Sequence, residues 1–470
     1  MTPDQFRQYG HQAVDWIADF LAHPGRYPVQ ARLAPGELTD ALPACGPAQG
    51  EPMERILADF DRLIVPAMTH WNHPGFMAYF ANSSPPEGIL GELLCAALNG
   101  NGMLWKTAPA VTELEQVVLG WLRHWSGLPA DWFGMIHDTA STGAMHAVAA
   151  ARAAADPEVR TRGGSPNLTV YVSEQAHTCT EKGAVALGMG QDNVRRVPVD
   201  SEFRMRPDAL SELIERDLAA GLRPAIVTAT VGTTGTTAVD PVPAIADICE
   251  RHKIWLHVDA AYAGSAAIVP EYRWLFAGCD RADSLITNPH KWLLTPMDCS
   301  IFYTRRPDVL KRAFSLVPDI LYTQDDPRAV NMMDYGVSLG RRFRALKLWF
   351  ILRSYGHEGL CAFIREHIRL AQDFAREMEA DPRFERTAPG RLSTVCFRYK
   401  GTDDDNRRIQ DHVNTSGEIL ISGTRLNGRF TLRLAIGNMF TQPEHVARAW
   451  ELICEAVRPE PIIPRGLFAP

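Results

Sequence analysis

The sequence predicts an α/β protein with a mostly parallel sheet in a large domain, followed by a small α+β domain. Three observations predict it. Between about 86 and 345, short apolar runs alternate with helical ones, and each run ends in a polar or glycine-bearing turn. One stretch shows the repeating unit in full: Ala225-Ile226-Val227-Thr228-Ala229-Thr230, then a helix-forming segment at 243–250, then Ile254-Trp255-Leu256-His257-Val258-Asp259. Strand, helix and strand at that spacing form a crossover unit joining parallel neighbours. Beyond 345 the pattern changes to strands around Asn427-Gly428, a hairpin signal.

The chain opens on a helix. Thr2 is placed to cap it, Pro3 suits the first helical position and Gln5 completes a capping box. Phe6, Tyr9, Ala13, Ile17 and Phe20 then recur at spacings of three and four, giving one apolar stripe. Residues 24–52, rich in Pro, Gly and Ala, read as an irregular connection, and a second helix is predicted from Met53 to about Met68. Residues 1–85 are thus expected to form a helical arm that cannot bury its stripe alone and packs on a partner subunit. Residues 86–345 are expected to form the large domain and 346–470 the small one. In the large domain, Leu168-Thr169-Val170-Tyr171-Val172 is a strand leading to a turn that ends in His177, and 225–230 leads to Val231-Gly232-Thr233-Thr234-Gly235. An amphipathic run from Leu339 to about Arg353 leads into the small domain. There a strand at 393–399, hairpin arms at 419–421 and 431–436 and a last helix at 444–457 are predicted.

The composition is that of an ordinary globular chain: 470 residues, 46% hydrophobic and 22% charged. The formal charge of −7, without a dense basic block, argues against nucleic acid and anionic membranes as partners. No apolar stretch approaches the roughly 18 residues needed to cross a bilayer. The opening MTPDQFRQYGHQ has no basic region followed by an apolar core, and nine scattered cysteines include no CxxC pair. A reduced, cytoplasmic setting is expected.

Ligands of parallel sheets collect beyond the carboxyl ends of the strands, and His177, Thr234, Asp259 and Lys291 all lie just past such ends. Asn288-Pro289-His290-Lys291-Trp292 follows the strand-like Ser284-Leu285-Ile286-Thr287, while Asp259 ends the strand before Ala260-Ala261-Tyr262-Ala263-Gly264. A lysine alone after a strand is usually a solvated surface residue. An amine and a carboxylate on nearby strand ends are what a pyridoxal phosphate (PLP) site needs, the amine to condense with the aldehyde and the carboxylate to pair with the ring nitrogen. The stretch His137-Asp138-Thr139-Ala140-Ser141-Thr142-Gly143 precedes an alanine-rich helix, so Ser141 reads equally as a helix cap and as part of an anion site.

NPHKW, HVDAAYAG, the Gly-Thr-Thr turn, the Ala-His after the 168–172 strand and LGRRFRALKLW together resemble the PLP-dependent group II decarboxylases, most nearly the aromatic-L-amino-acid decarboxylase family. The resemblance covers nearly the whole chain. It implies a fold-type I, aspartate aminotransferase-like architecture, a homodimer with its sites at the subunit interface, PLP as cofactor and a small amino acid as substrate. It further implies that Lys291 links to the cofactor and that Asp259 keeps the ring nitrogen protonated. Ala261 is expected to lie against the ring, with His177 stacked on the opposite face. Ala140, Ser141, Thr234, Asn288 and His290 are expected around the phosphate. Trp71, Tyr79 and Phe80 match side-chain pocket positions, and Gly340 is the small option where some relatives carry Ser.

Several positions depart from the animal enzymes. Asn82 stands in place of Thr, and Asn101 and Met103 stand where Ile and Phe are expected to reach across from the partner. The family's loop tyrosine, thought to protonate the intermediate after carbon dioxide leaves, aligns with Ile320. The nearest tyrosine is Tyr322, on a segment of about 316–330 expected to be a mobile lid. The resemblance therefore implies an aromatic amino-acid decarboxylase with Tyr322 as proton donor, or alternatively an aromatic aldehyde synthase in which decarboxylation ends in oxidative deamination. A cofactor-free binding module is disfavoured by Lys291, Asp259 and His177. Gly188-Met189-Gly190 lacks the third glycine of a dinucleotide fingerprint. His70 and His73 have metal-compatible spacing without a companion cluster, so no metal is expected.

Overall fold

The computed structural model describes residues 1–316, 326 and 328–457. Its centre is a seven-stranded sheet. In spatial order the strands are Phe133–His137, Ser300–Thr304, Ser284–Thr287, Trp255–Asp259, Arg223–Thr230, Leu168–Ser173 and Val194–Val197. All neighbours pair parallel except at Ser300–Thr304, which is antiparallel to both its flanking strands. Every residue of Trp255–Asp259 and Ser284–Thr287 is buried, as expected of strands covered by helices on both faces. Thr230 pairs with Asp259, and Asp259 with Ile286, so three adjacent strands end at one level. This common edge is where the chemistry-bearing residues collect.

One covering helix, Ala140–Ala155, buries mostly small residues, Gly143 and five alanines among them, which lets it lie close to the sheet. Gly183 of the next helix needs the same closeness, since a Cβ there would meet the Met145 Cα at 3.1 Å. The long helix Arg344–Ala380 begins five residues later than the amphipathic run and extends far past it. It turns at Gly356, whose φ of 61° only glycine adopts freely, then resumes. Its first part packs in the large core through Leu348, Ile351 and Leu352; its last part packs in a second core through Leu370, Phe374 and Met378. One helix thus serves both cores.

The second sheet runs Phe76–Met77, Leu420–Leu426, Arg429–Ala435, Thr394–Tyr399, Phe384–Arg386. Asn427 and Gly428, with φ of 50° and 76°, make the two-residue hairpin turn. The Phe76–Met77 strand was hidden in the sequence. It pairs parallel with Leu420 and Ile421, stitching the end of the N-terminal segment into the small domain's sheet. Gly75 permits it, because a Cβ there would lie 1.9 Å from the Glu418 carbonyl oxygen.

The first helix, Pro3–Ala22, has the expected capping box between Thr2 and Gln5, yet none of its residues is buried. The second, Met53–Asp59, gives way to a π turn at Phe60–Ile64 and a tight turn at Val65–Ala67. His70 stacks on Tyr27, and the His73 ring accepts the Gly75 N–H, so both histidines serve local packing. Among the described residues, no helix is long and apolar enough to cross a membrane.

Candidate active site

A cavity of about 180 Å³ opens at the carboxyl edge of the large sheet. Its wall is assembled from strand ends: Thr139, Ala140 and Ser141 after Phe133–His137, His177 and Cys179 after Leu168–Ser173, and Thr230, Gly232 and Thr234 at the end of Arg223–Thr230. Asp259, Ala261 and Tyr262 come from the end of Trp255–Asp259, and Asn288, His290 and Lys291 follow Ser284–Thr287. Phe80 closes one side.

The local sequence fixes these groups tightly. Asn288 N–H donates to the Ala261 carbonyl at 3.1 Å, and Lys291 N–H to the Asn288 carbonyl at 2.9 Å, so the lysine's turn is tied to the aspartate's strand. Ala261 N–H donates to Asp259 Oδ1 at 3.0 Å. Behind the turn, the Phe80, Tyr262 and Trp292 rings stack in series at 3.8 and 4.7 Å between centroids, and Trp292 Nε1–H donates to His367 at 3.0 Å. This aromatic column explains the tryptophan after Lys291: it clamps the lysine's turn in place.

Electrostatics favour the uncharged forms. Loss of water pushes the Lys291 amine below the usual lysine range, although Asp259 pulls the other way. A lysine depressed like this keeps more of its amine neutral and nucleophilic. Desolvation likewise lowers His177, with Lys291 and Lys182 adding to it and Asp259 opposing. The His177 Nδ1 accepts the Cys179 N–H at 3.2 Å, which leaves its ring proton on Nε2. His290 is lowered to about 4, chiefly by burial. Its Nδ1 accepts the Cys299 N–H at 3.0 Å, and its Nε2 lies 3.3 Å from the Asn288 amide, which also meets Ser300 Oγ at 2.7 Å.

The cavity fits PLP by its own chemistry. At one end the first turn of the Ala140–Ala155 helix offers backbone N–H groups, with the Ser141 and Thr234 hydroxyls beside it, a suitable cradle for a dianion. Thr139 makes no side-chain cap, so Ser141 sits inside the helix rather than capping it. The buried Thr230 hydroxyl, which also lines the cavity, has no protein partner. The Lys291 amine and Asp259 carboxylate complete the set that a pyridine aldehyde requires. Gly232, with φ of 88°, lets its turn pass Ala263, where a Cβ would collide at 2.6 Å.

Of the seven expected substrate-pocket residues, Phe80 lines this cavity. Trp71 lies over Phe76 and Tyr79, Asn82 contacts the Met297 sulfur, and Asn101 accepts the Arg341 N–H. The Met103 carbonyl accepts the Met333 N–H. Gly340 is exposed, with open space where a Cβ would sit. Ile320 and Tyr322 lie outside the described residues.

Three residues escaped the sequence reading: Thr230, Cys179 and Arg433. Arg433 is buried, with its guanidinium 4.6 Å from the Phe80 ring centre; Lys291 Nζ is 5.2 Å from the same ring. Its Nη1 donates to the Tyr79 carbonyl at 2.5 Å and its Nε to the Gly235 carbonyl at 3.2 Å, while Nη2 has no partner among the described residues. Leu432 and Leu434 alternate into the small core, which puts Arg433 on the sheet's other face, against Phe80.

The Pyridoxal-dependent decarboxylase conserved domain matches residues 35–400. The chain is 40% identical to a phenylacetaldehyde synthase of Arabidopsis thaliana, over 97% of this chain and 96% of that one. It is 39% identical to tryptophan decarboxylase 2 of Oryza sativa subsp. japonica, over 96% and 94%. The crystal structure of Oryza sativa TDC with PLP and tryptamine superposes with a TM-score of 0.94 at 36% identity, covering 97% of this chain and 98% of that one.

Proposed function

The chain belongs to the pyridoxal-dependent decarboxylases, and on that premise we propose that it converts an aromatic L-amino acid to the corresponding amine and carbon dioxide. The observation that carries this reading is the pairing of the Lys291 amine and Asp259 carboxylate in one cavity with a phosphate cradle at its end. PLP, when bound, supplies an electron sink for the bond to the leaving carboxylate. Lys291 would hold the cofactor through its amine. Asp259 would pair with the ring nitrogen and favour a proton there. His177 and Ala261 would flank the ring, His177 with its Nε2–H available to the substrate. Ala140, Ser141, Thr234 and Asn288 hold the phosphate, with His290 steadying Asn288. Arg433, a buried cation with an unused N–H, receives the substrate carboxylate and orients it.

Trp71, Tyr79, Asn82, Asn101, Met103 and Gly340 are assigned to the rest of the substrate pocket, completed by a second copy of the chain. The arm at 1–85, the large domain at 86–345 and the small one at 346–470 form each protomer of a cytoplasmic homodimer. Seven cysteines buried as free thiols suit a reducing compartment.

A second reading is favoured by one observation. Ile320 occupies the position aligned with the family's loop tyrosine, and a 40% identical relative is a phenylacetaldehyde synthase. Tyr322, two residues later in the sequence, is the proposed donor. Amine is therefore the expected main product. Turnover of aromatic L-amino acids with and without oxygen, measuring carbon dioxide, amine, aldehyde and peroxide, tests this. Aldehyde as the main product, with stoichiometric oxygen uptake, would replace the decarboxylase with an aldehyde synthase.

A further inference from the structure

We propose that Cys179 is a positioning residue whose thiol donates to Asp259 and so sets the orientation of the carboxylate facing the cofactor's ring nitrogen. This rests on the reading of Asp259 given above. Cys179 begins the helix Cys179–Ala186 and is buried in the cavity wall. Its Sγ lies 3.6 Å from Asp259 Oδ2 and 3.9 Å from the His177 carbonyl. A thiol has one proton to give, and the nearer, charged acceptor takes it.

Burial and the adjacent carboxylate push the Cys179 thiol up, so it stays a protonated donor instead of a reactive thiolate. Asp259 then has one donor on each oxygen: Ala261 N–H on Oδ1 and the thiol on Oδ2. Rotating the carboxylate breaks both contacts. The same residue's backbone N–H fixes the His177 ring through Nδ1. Cys179 therefore holds the group at the ring nitrogen with its side chain and the group on the ring face with its backbone. Only the first of these depends on side-chain identity.

The test pairs two readouts on the full chain. Cys179→Ala is expected to lower kcat about three- to tenfold, the effect of losing a weak donor to a charged acceptor. KM should stay within about twofold, because the substrate's own contacts are untouched. Cys179→Ser, which keeps a donor, should restore kcat. Independently of turnover, the infrared S–H stretching band isolated by subtracting the Cys179→Ala spectrum should lie at the low frequency of a hydrogen-bonded thiol. It should move toward the free-thiol frequency in Asp259→Asn. A band that ignores Asp259→Asn, or a kcat unchanged in Cys179→Ala, overturns the proposal. Because the band needs no substrate, inactivity of the parent toward amino acids would count against the proposed function alone.

Discussion

Lys291 can attack an aldehyde only as the neutral amine, and burial beside an aromatic column gives it that form more readily than solvent would. Lys291→Ala is expected to abolish turnover and the absorbance of a lysine-linked cofactor, since no other lysine lines the cavity. Full activity in that variant would show that the site lies elsewhere. Arg433 presents a different case, because its value lies in an N–H that the protein leaves unused. Arg433→Gln should weaken substrate binding about ten- to a hundredfold, the scale of a charge-assisted bond, while cofactor affinity changes little. Steady-state KM and cofactor titration separate these effects. A KM unchanged in the variant would remove Arg433 from the substrate's path.

Elements carry a second kind of constraint, visible where helices touch. Helix Pro86–Leu98 lies on Arg344–Ala380 through Gly88 and Gly91. A Cβ at Gly91 would lie 2.7 Å from the Lys347 Cα, which is backbone and cannot step aside. Gly91→Ala should therefore cost about 1–3 kcal/mol of stability through overpacking, seen as a lower thermal midpoint with the site's chemistry intact. An unchanged midpoint would mean that the two helices part without penalty. Contacts of this kind explain what the sequence could and could not tell. The parallel units, the Asn427-Gly428 hairpin and the Thr2 capping box were legible because each has a local pattern. Phe76–Met77 was not, since two residues have no period and pair with a strand more than 340 positions away. The edge-gathering of His177, Asp259 and Lys291 followed from strand ends alone. Arg433 and Cys179 did not, because their importance lies in partners brought together from other segments. Ser141 was left between cap and ligand until the helix start fixed it inside the first turn.

Taken whole, the molecule is sensitive to acid for a reason spread over many layers. His73, His146, His257, His290 and His367 are buried, and burial lowers each to about 4. Unfolded, they titrate near 6.5. Their contribution is therefore full above pH 6.5 and is lost as pH falls toward 4, at about 1.4 kcal/mol per pH unit for each histidine between those values. Calorimetry from pH 7.5 down to 4 should show a thermal midpoint that falls steeply below about 6.5. A flat midpoint across that window would mean that these rings are protonated within the fold.

The outer surface makes the last demand. Helix Pro86–Leu98 buries Gly88, Gly91 and Cys95 on one side, yet Leu90, Leu93, Leu94 and Leu98 stand exposed on the other, Leu98 by 66%. Helix Pro3–Ala22 buries nothing, and Phe6, Ile56 and Phe60 of the arm are also exposed. A helix apolar on both faces needs cover on both, and exposed leucines of this kind are what a second copy would cover. Sedimentation at micromolar concentration should show a dimer, and Leu94→Glu combined with Leu98→Glu should yield monomers with impaired turnover. A fully active monomer, in the parent or in the double variant, would show that each cavity is complete within one chain.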